Sequence, residues 1–404
     1  MFLNVLKFGL SEGLAKIAPF LTTLYVANFL APAEFGKYSL IVVMFEIVFI
    51  FVSFNIQATT RIDYYKENKN EFNKIKQNHF ILSIFLSIII ACFALLQGQS
   101  YLTVALLISC ALFRTVSVFI LAIFQCSSRV NSYILSNIVF VVSLTVCILL
   151  FITPDNPKLS WLYSFLVASI IQLLLIMYLY DIYKLRKFVP SSISLHSLKH
   201  AFLPAALFFP QAIGWWLKSG AERVIIANSL GDVVLGIYAL ALQLVAVLFI
   251  FVTVVNLAMV PEINLSMSKN NYIKTKKMLV LSTFAVVVVA CMLPFFGSLL
   301  IQNLYAAEYG LASDYLLLLT ISSVPQAIMM FYINVLYFNK EGRFVASVIF
   351  LSFSLQTLIN YFFINYYDIQ GVIYCSFIIN LIALLCILKR VKISMNKPIE
   401  SFDN

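Results

Sequence analysis

Charged side chains inside apolar segments are the first places where this sequence can do chemistry. A charge in hydrocarbon is costly, and it is retained mainly where it has a task. Glu12 and Lys16 are four residues apart, and so are Lys218 and Glu222. On a helix, that spacing puts each acid on the same face as a base. Each pair is a candidate functional site; the alternatives are that its two charges neutralise each other or that side chains near the span ends extend to the membrane surface.

Three further charges lie in apolar surroundings. Arg114 stands in the middle of its apolar run and has no partner within that run, whereas Arg223 directly follows Glu222. Glu46 lies in another apolar run and is a candidate partner for Arg114. Guanidinium and ammonium groups bind phosphate well. The basic candidates for a functional site are therefore Lys16, Arg114, Lys218 and Arg223. Ion coupling or gating is predicted for Glu12, Glu46 and Glu222.

The composition places these charges in a membrane. Of 404 residues, 62% are hydrophobic and 11% are charged, and the mean hydropathy is +0.97. No soluble domain of this size keeps so much apolar surface out of water. A span needs about 20 apolar residues, and its backbone must satisfy its own hydrogen bonds, so we predict an all-α polytopic protein. Twelve candidate spans lie near 4–28, 38–57, 79–97, 102–124, 133–153, 161–180, 203–229, 236–258, 278–300, 315–337, 345–366 and 371–388.

The basic residues predict the orientation of the spans. Most of them fall in alternate loops and in the C-terminal tail, whereas the opposite loops carry only Lys37 and Lys158. Because cytoplasmic loops are enriched in Lys and Arg, both termini are predicted to be cytoplasmic. The net charge of +10 is thereby explained by topology, and no nucleic-acid partner is expected.

One segment recurs after half the chain. VANFLAPAEFGKYSL at 26–40 returns as IANSLGDVVLGIYAL at 226–240, with Asn, Gly and Tyr in register. Six spans per half return the chain to the same side, so the repeat is parallel, related by a pseudo-two-fold axis along the membrane normal. The predicted organisation is an N-terminal six-helix lobe (1–183), a cytoplasmic connector (184–202) and a C-terminal six-helix lobe with a basic tail (203–404).

Prolines occur in the first span of each half. Pro19 lies in span 1, and Pro204 and Pro210 lie in span 7. Proline removes a backbone donor and clashes with the preceding turn. We therefore predict helix breaks at these prolines. Interrupted spans in corresponding places of two halves point to a central binding site. Ordinary kinks are the alternative.

Signatures of soluble enzymes are missing from the sequence. It contains no GxxxxGK[ST] or HExxH motif, and its seven cysteines are scattered without CxxC spacing. We predict no catalytic residue, no metal site and no cofactor.

With these residues in view, the chain resembles the bacterial O-antigen flippases of the multidrug, oligosaccharidyl-lipid and polysaccharide exporter superfamily. The resemblance rests on the stretch from Asn28 to Tyr38, with its proline, acid and Gly-x-Tyr elements, on its repeat at 228–238, and on the twelve spans. It implies two six-helix lobes around a central cavity that work by alternating access. By position, it also implies that Lys16, Arg114, Lys218 and Arg223 hold the pyrophosphate or acidic sugars of the substrate in that cavity.

The resemblance also implies a substrate and partners. The substrate is a polyprenyl-pyrophosphate-linked oligosaccharide, such as an O-antigen repeat unit, moved from the cytoplasmic to the periplasmic leaflet of the inner membrane. Membrane lipids, a coupling proton or sodium ion and a polysaccharide polymerase are the expected partners.

Two other functions are weighed against the flippase. A multidrug or cation antiporter of the same superfamily is the nearer one, and it favours an acidic cavity. An integral-membrane polysaccharide polymerase or ligase is the more distant one, and such enzymes present a sizeable outer loop that this sequence lacks.

Overall fold

The structure is a computed structural model that describes residues 17–180 and 195–395. These residues form helices and short connections, without strands. The helices are α1 (Ile17–Phe29), α2 (Pro32–Ser53), α3 (Ile56–Lys66), α4 (Lys69–Leu96), α5 (Tyr101–Cys126), α6 (Val130–Phe151), α7 (Pro157–Tyr180), α8 (Leu195–Trp216), α9 (Glu222–Leu230), α10 (Asp232–Ser268), α11 (Tyr272–Leu304), α12 (Ala312–Phe338) and α13 (Gly342–Met395). The predicted all-α polytopic fold is confirmed.

Most of these helices are long enough to cross a bilayer. Within the described ranges, nine segments pass on length and hydropathy, with α2 and α3 taken as one. The 54-residue α13 turns sharply at Asp368, whose φ is +50°, and so supplies two spans. Many large apolar side chains face outward, including Leu96 and Leu150. In a bilayer, lipid solvates these side chains.

The chain forms two compact units by its internal contacts. Among the described residues, the first unit contains 17–22, 37–180 and 195–216, and the second contains 23–36 and 217–395. Residues 23–36 therefore pack with the C-terminal half, although α1 and α2 continue from them into the first unit. The boundaries of the lobes predicted at 1–183 and 203–404 differ from those of these two units, and the lobes stay a prediction.

Each unit has its own apolar core. In the first, α5 contributes the largest share, with Phe119 and Phe124 packed among Ile56 of α3 and Ile176 of α7. In the second, α12 is the central helix and packs on α10, α11 and α13. Thus α5 and α12, rather than the first helix of each half, are most enclosed by protein.

The two repeated segments contact each other within the second unit. The first turn of α2 crosses the first turn of α10, where Gly36 lies against Asp232 and Gly236 lies against Pro32. We call this contact the glycine crossing. Tyr309, in a short 3₁₀ turn (Ala307–Tyr309) before α12, donates a hydrogen bond of 2.9 Å to the Leu30 carbonyl beside it.

The helix breaks predicted at the prolines do not coincide with the interruption that the structure shows. Helix α8 continues through Pro204 and Pro210, and α1 is regular from Ile17 through Pro19 to Phe29. Neighbouring helices and local adjustments satisfy the backbone groups that proline frees in membrane helices. The observed interruption of span 7 is a π-helical turn at Leu217–Ala221, directly before Glu222.

Candidate functional site

Arg114 is a charged residue of the first unit, and contacts among three helices fix its position. It lies on α5, and its Nη1 donates a hydrogen bond of 3.0 Å to Gln172 Oε1 on α7. Its guanidinium carbon lies 4.3 Å from the ring centroid of Phe140 on α6. The ring face is electronegative and attracts the cation without neutralising it.

Gln172 holds the arginine in a defined orientation. The glutamine side chain is fully buried, and its Nε2 donates a hydrogen bond of 3.1 Å to the Ser136 carbonyl on α6. That second bond fixes the amide, so its oxygen faces Arg114. The ion pairs among described residues do not include Arg114. A partly exposed guanidinium held by neutral partners retains its charge and spare donors for an anion.

The second unit contains a buried ion pair next to the π-helical turn. Lys218 Nζ lies 3.4 Å from Glu222 Oε2, and the two side chains are 14% and 3% exposed. The predicted four-residue spacing thus brings the acid and base together across the turn. Wide turns of this kind often mark functional sites, because they re-aim the side chains around them.

Polar residues of α13 complete the environment of Glu222. Ser376 Oγ donates a hydrogen bond of 3.0 Å to Glu222 Oε1. The same hydroxyl oxygen accepts bonds of 3.1 Å from Lys218 Nζ and 2.8 Å from Gln356 Nε2. A buried charge is tolerated when it is paired and hydrogen-bonded in this way.

Several buried polar atoms near this network lack hydrogen-bond partners among the described residues. They include Gln356 Oε1, both amide atoms of Asn360, and Asn380 Oδ1. Such atoms are rare in stable interiors and call for an explanation. The amide oxygens and the Glu222 carboxylate are hard oxygen ligands of the kind that bind alkali cations or protonated species.

Arg223 directly follows Glu222, and its hydrogen bonding differs from that of Lys218. Its Nε is buried without a hydrogen-bond partner among described residues. The hydroxyl of Tyr238, also fully buried, interacts electrostatically with both Glu222 and Arg223. Arg223 therefore shares the polar interior of the second unit with the ion pair.

The structure separates the remaining predicted residues. Glu46 lies at an exposed position of α2, whereas the hydrogen bond of Arg114 goes to Gln172 on α7. Glu12 and Lys16 lie outside the described residues, so their predicted roles stay predictions. Arg114 belongs to the first unit, whereas Lys218, Glu222 and Arg223 belong to the second.

Sequence reasoning missed the neutral residues of both sites. Gln172, Gln356 and Ser376 lie in otherwise apolar runs, and that contrast was the signal that could have found them. The predicted spans 38–57 and 79–97 also leave Lys76 in the loop between them, whereas Lys76 is fully buried on α4 and pairs with Asp63 at 2.7 Å. The loop is shorter than expected, because α4 already begins at Lys69.

Solved structures share this arrangement of helices. An inward-facing multidrug resistance MATE family transporter of the MOP superfamily has a TM-score of 0.71 and 13% identity, with 94% of each chain covered. A MOP superfamily transporter from Pyrococcus furiosus, described as having a binding pocket of reverse polarity, has a TM-score of 0.64 and 14% identity over 97% of this chain and 95% of that one. The fold is that of MOP superfamily transporters.

The sequence narrows the class to a family. Residues 3–267 match the model of the family described as "Polysaccharide biosynthesis protein". The capsular polysaccharide biosynthesis protein CapF of Staphylococcus aureus is 24% identical over 307 residues, covering 74% of this chain and 75% of that protein. The chain therefore belongs to the polysaccharide biosynthesis protein family, and its long apolar helices make it a multi-pass membrane protein.

Proposed function

We propose that this protein is a flippase for a polyprenyl-pyrophosphate-linked oligosaccharide, an O-antigen or related repeat unit. It moves the lipid-linked unit from the cytoplasmic to the outer leaflet of the cytoplasmic membrane by alternating access. Both termini lie in the cytoplasm, and a polysaccharide polymerase receives the exported units.

The observation that carries this proposal is the environment of Arg114. A guanidinium within an apolar bundle, oriented by a glutamine and an aromatic ring instead of a carboxylate, is suited to an anionic group. Pyrophosphate is such a group, and arginine binds it through paired donors. The family and its capsular relative support an oligosaccharide cargo.

Moving a lipid-linked oligosaccharide across the membrane requires polar groups for its headgroup but not for its lipid tail. The polyprenyl tail remains in hydrocarbon unaided, whereas pyrophosphate and sugars do not cross it without hydration or hydrogen bonds. The polar interior around Arg114 offers donors to the headgroup while the tail stays in lipid. Arg223, whose Nε lacks a hydrogen-bond partner among the described residues, is the candidate anion-binding residue of the second unit.

Ion coupling supplies the driving force in this proposal. Glu222 binds the coupling proton or sodium ion, since its carboxylate is buried beside unsatisfied amide oxygens. Each elementary charge that crosses is worth about 2.3 kcal/mol per 100 mV of membrane potential. Unchanged transport in vesicles after the proton and sodium gradients are both dissipated would remove this part of the proposal.

The flippase proposal is tested in a strain lacking the protein. Complementation with Arg114→Ala is expected to reduce surface polysaccharide at least tenfold and to leave single lipid-linked units in the cytoplasmic leaflet. Arg114→Lys retains the charge without the paired donors, so partial export is expected. Membrane levels of each variant are measured in parallel.

The matched control is Arg343→Ala, which removes an exposed arginine near the start of α13. Export equal to wild type is expected from it. Normal export from Arg114→Ala would overturn the assignment of Arg114. Single units that are exported but not polymerised in the null strain would identify a polymerase instead.

A multidrug or cation antiporter is the second candidate, favoured by the buried carboxylate of Glu222 and the fold shared with MATE family transporters. A cationic drug would have to displace Lys218 from that carboxylate. Drug resistance conferred by the wild type and lost in Glu222→Gln, with normal polysaccharide export in the null strain, would select this candidate.

A further inference from the structure

The helix pair α2–α3 is bent at two residues with left-handed backbone, and only one of them, an asparagine, adopts that conformation readily. Phe54 and Asn55 separate the two helices, and their φ angles are +41° and +57°. No glycine or proline lies at this point. A left-handed conformation is costly for a bulky residue such as phenylalanine, and it persists where surrounding contacts impose it.

Helix α4 supplies those contacts on both sides of the bend. His79 is fully buried, and its Nε2 lies 3.1 Å from the carbonyl oxygen of Ser53, the last residue of α2. One turn earlier, Lys76 Nζ lies 2.7 Å from Asp63 Oδ2 and 3.1 Å from Thr59 Oγ1, both on α3. The ion pair anchors α3, and the histidine holds α2 through a single bond.

Two buried atoms at the bend are left without hydrogen bonds among described residues. They are Asn55 Nδ2, a donor, and His79 Nδ1, which is an acceptor when Nε2 donates to the Ser53 carbonyl. A buried donor and acceptor that are both unsatisfied raise the energy of this state. A second conformation of the bend that gives Asn55 Nδ2 and His79 Nδ1 hydrogen-bond partners would gain stability from those bonds.

The other end of α2 enters the glycine crossing with α10. Helix α2 is continuous from Pro32 to Ser53. If its first turn separates from α10 at the glycine crossing, the whole of α2 therefore changes direction. A bend at its far end lets α2 swing while α3 stays anchored.

We propose that Phe54 and Asn55 form a hinge between α2 and α3, with α3 fixed by the Asp63–Lys76 pair and His79 acting as its latch. The inference rests on the conformational change in the proposed function, but it concerns the chain alone.

Two substitutions at one position test the hinge in opposite directions. Glycine accepts the left-handed conformation, whereas alanine favours the right-handed one. Spin labels are placed on cysteines introduced at Lys37 and Lys66, near the ends of α2 and α3, with the native cysteines replaced by alanine. Electron–electron distances in the purified full chain then report the angle between the helices.

We expect Asn55→Gly to increase the bent population and Asn55→Ala to increase the straight one, with about a fivefold difference in their ratio. His79→Phe, which keeps a ring and removes both nitrogens, is expected to broaden the distance distribution, and His200→Phe is the exposed control. His79→Phe alone decides the matter if the Asn55 variants do not fold.

Identical distance distributions in the wild type, Asn55→Gly, Asn55→Ala and His79→Phe would overturn the hinge. This measurement needs no substrate. A fixed angle combined with lost export in Arg114→Ala would therefore reject the hinge alone, and a shifting angle combined with normal export in that variant would reject the assigned flippase site alone.

Discussion

Gly36 and Gly236 pack against each other's helix in a reciprocal backbone contact. A β-carbon on Gly36 would lie 3.0 Å from the Asp232 carbonyl carbon, and one on Gly236 would lie 2.6 Å from the Pro32 carbonyl carbon. Both residues occupy the same place in the repeated segment, 200 positions apart. The two copies of the repeated segment therefore contact each other at related helix ends. This close contact explains why both copies carry glycine.

Adding a methyl group at either position should disturb this contact. The obstructing atoms are backbone atoms, which do not rotate away, so we expect Gly36→Ala and Gly236→Ala each to destabilise the protein by about 1–3 kcal/mol. Thermal unfolding in detergent measures the loss. Gly342→Ala is the matched control, since its new β-carbon would meet Tyr337 at 3.6 Å, an ordinary contact. Wild-type stability in both variants would show that the helices separate without cost.

Replacing Gln172 by Glu tests whether Arg114 must remain unneutralised. The new carboxylate takes the position of the amide 3.0 Å from the guanidinium, so the fold gains an ion pair while the anion site loses its free charge. The carboxylate cannot donate to the Ser136 carbonyl, so we expect a lower protein level and, per molecule of protein in the membrane, at least tenfold lower export. Gln97→Glu, at an exposed helix end, is the control. Unimpaired export from Gln172→Glu would contradict an anion role for Arg114.

Breaking the Lys218–Glu222 pair on one side should cost more than removing both charges. Lys218→Met leaves a buried carboxylate without its cation, for which a loss of about 3–5 kcal/mol is expected. The double variant Lys218→Met, Glu222→Gln should recover most of that stability, as measured by unfolding temperature. Export should remain low in the double variant, because the ion-binding carboxylate is gone. Recovery of export together with stability would show that the pair is structural.

Tyr309 should contribute to the glycine crossing through its hydroxyl. Tyr309→Phe keeps the edge-to-face contact with Phe35 but leaves the Leu30 carbonyl without this donor. We expect a loss of about 0.5–1.5 kcal/mol in unfolding free energy. Tyr272→Phe, whose hydroxyl donates to Asn270 in an exposed position, is expected to change it far less. Equal effects would mean that burial at Tyr309 adds nothing.

The neighbouring Tyr305 gives a pH test. Burial raises the pKa of Tyr305 to about 12, so its hydroxyl remains a donor to the Leu24 carbonyl. A raised folded-state pKa gives a contribution that is complete below about pH 10, the unfolded value, and is lost as pH rises towards 12. The difference in melting temperature between wild type and Tyr305→Phe should be constant from about pH 6 to 9 and shrink above about pH 10. A shift near neutral pH would contradict this.

The sequence by itself determined the class of the protein and the identity of its charged candidates. Composition left no alternative to a bilayer, and a backbone in hydrocarbon has helices as its simplest solution, so the all-α polytopic fold followed directly. The four-residue spacing of Lys218 and Glu222 correctly predicted their pairing, because that contact is local to one turn.

Only the tertiary structure decided the partners that come from distant segments. Arg114 meets Gln172, Glu222 meets Ser376, and Gly36 meets the segment of Gly236. Such contacts depend on how each helix is rotated about its axis. Helices that are apolar on most sides carry little periodicity to indicate that rotation. For the same reason, the burial of Lys76 and the left-handed backbone of Phe54 emerged from packing and not from local sequence.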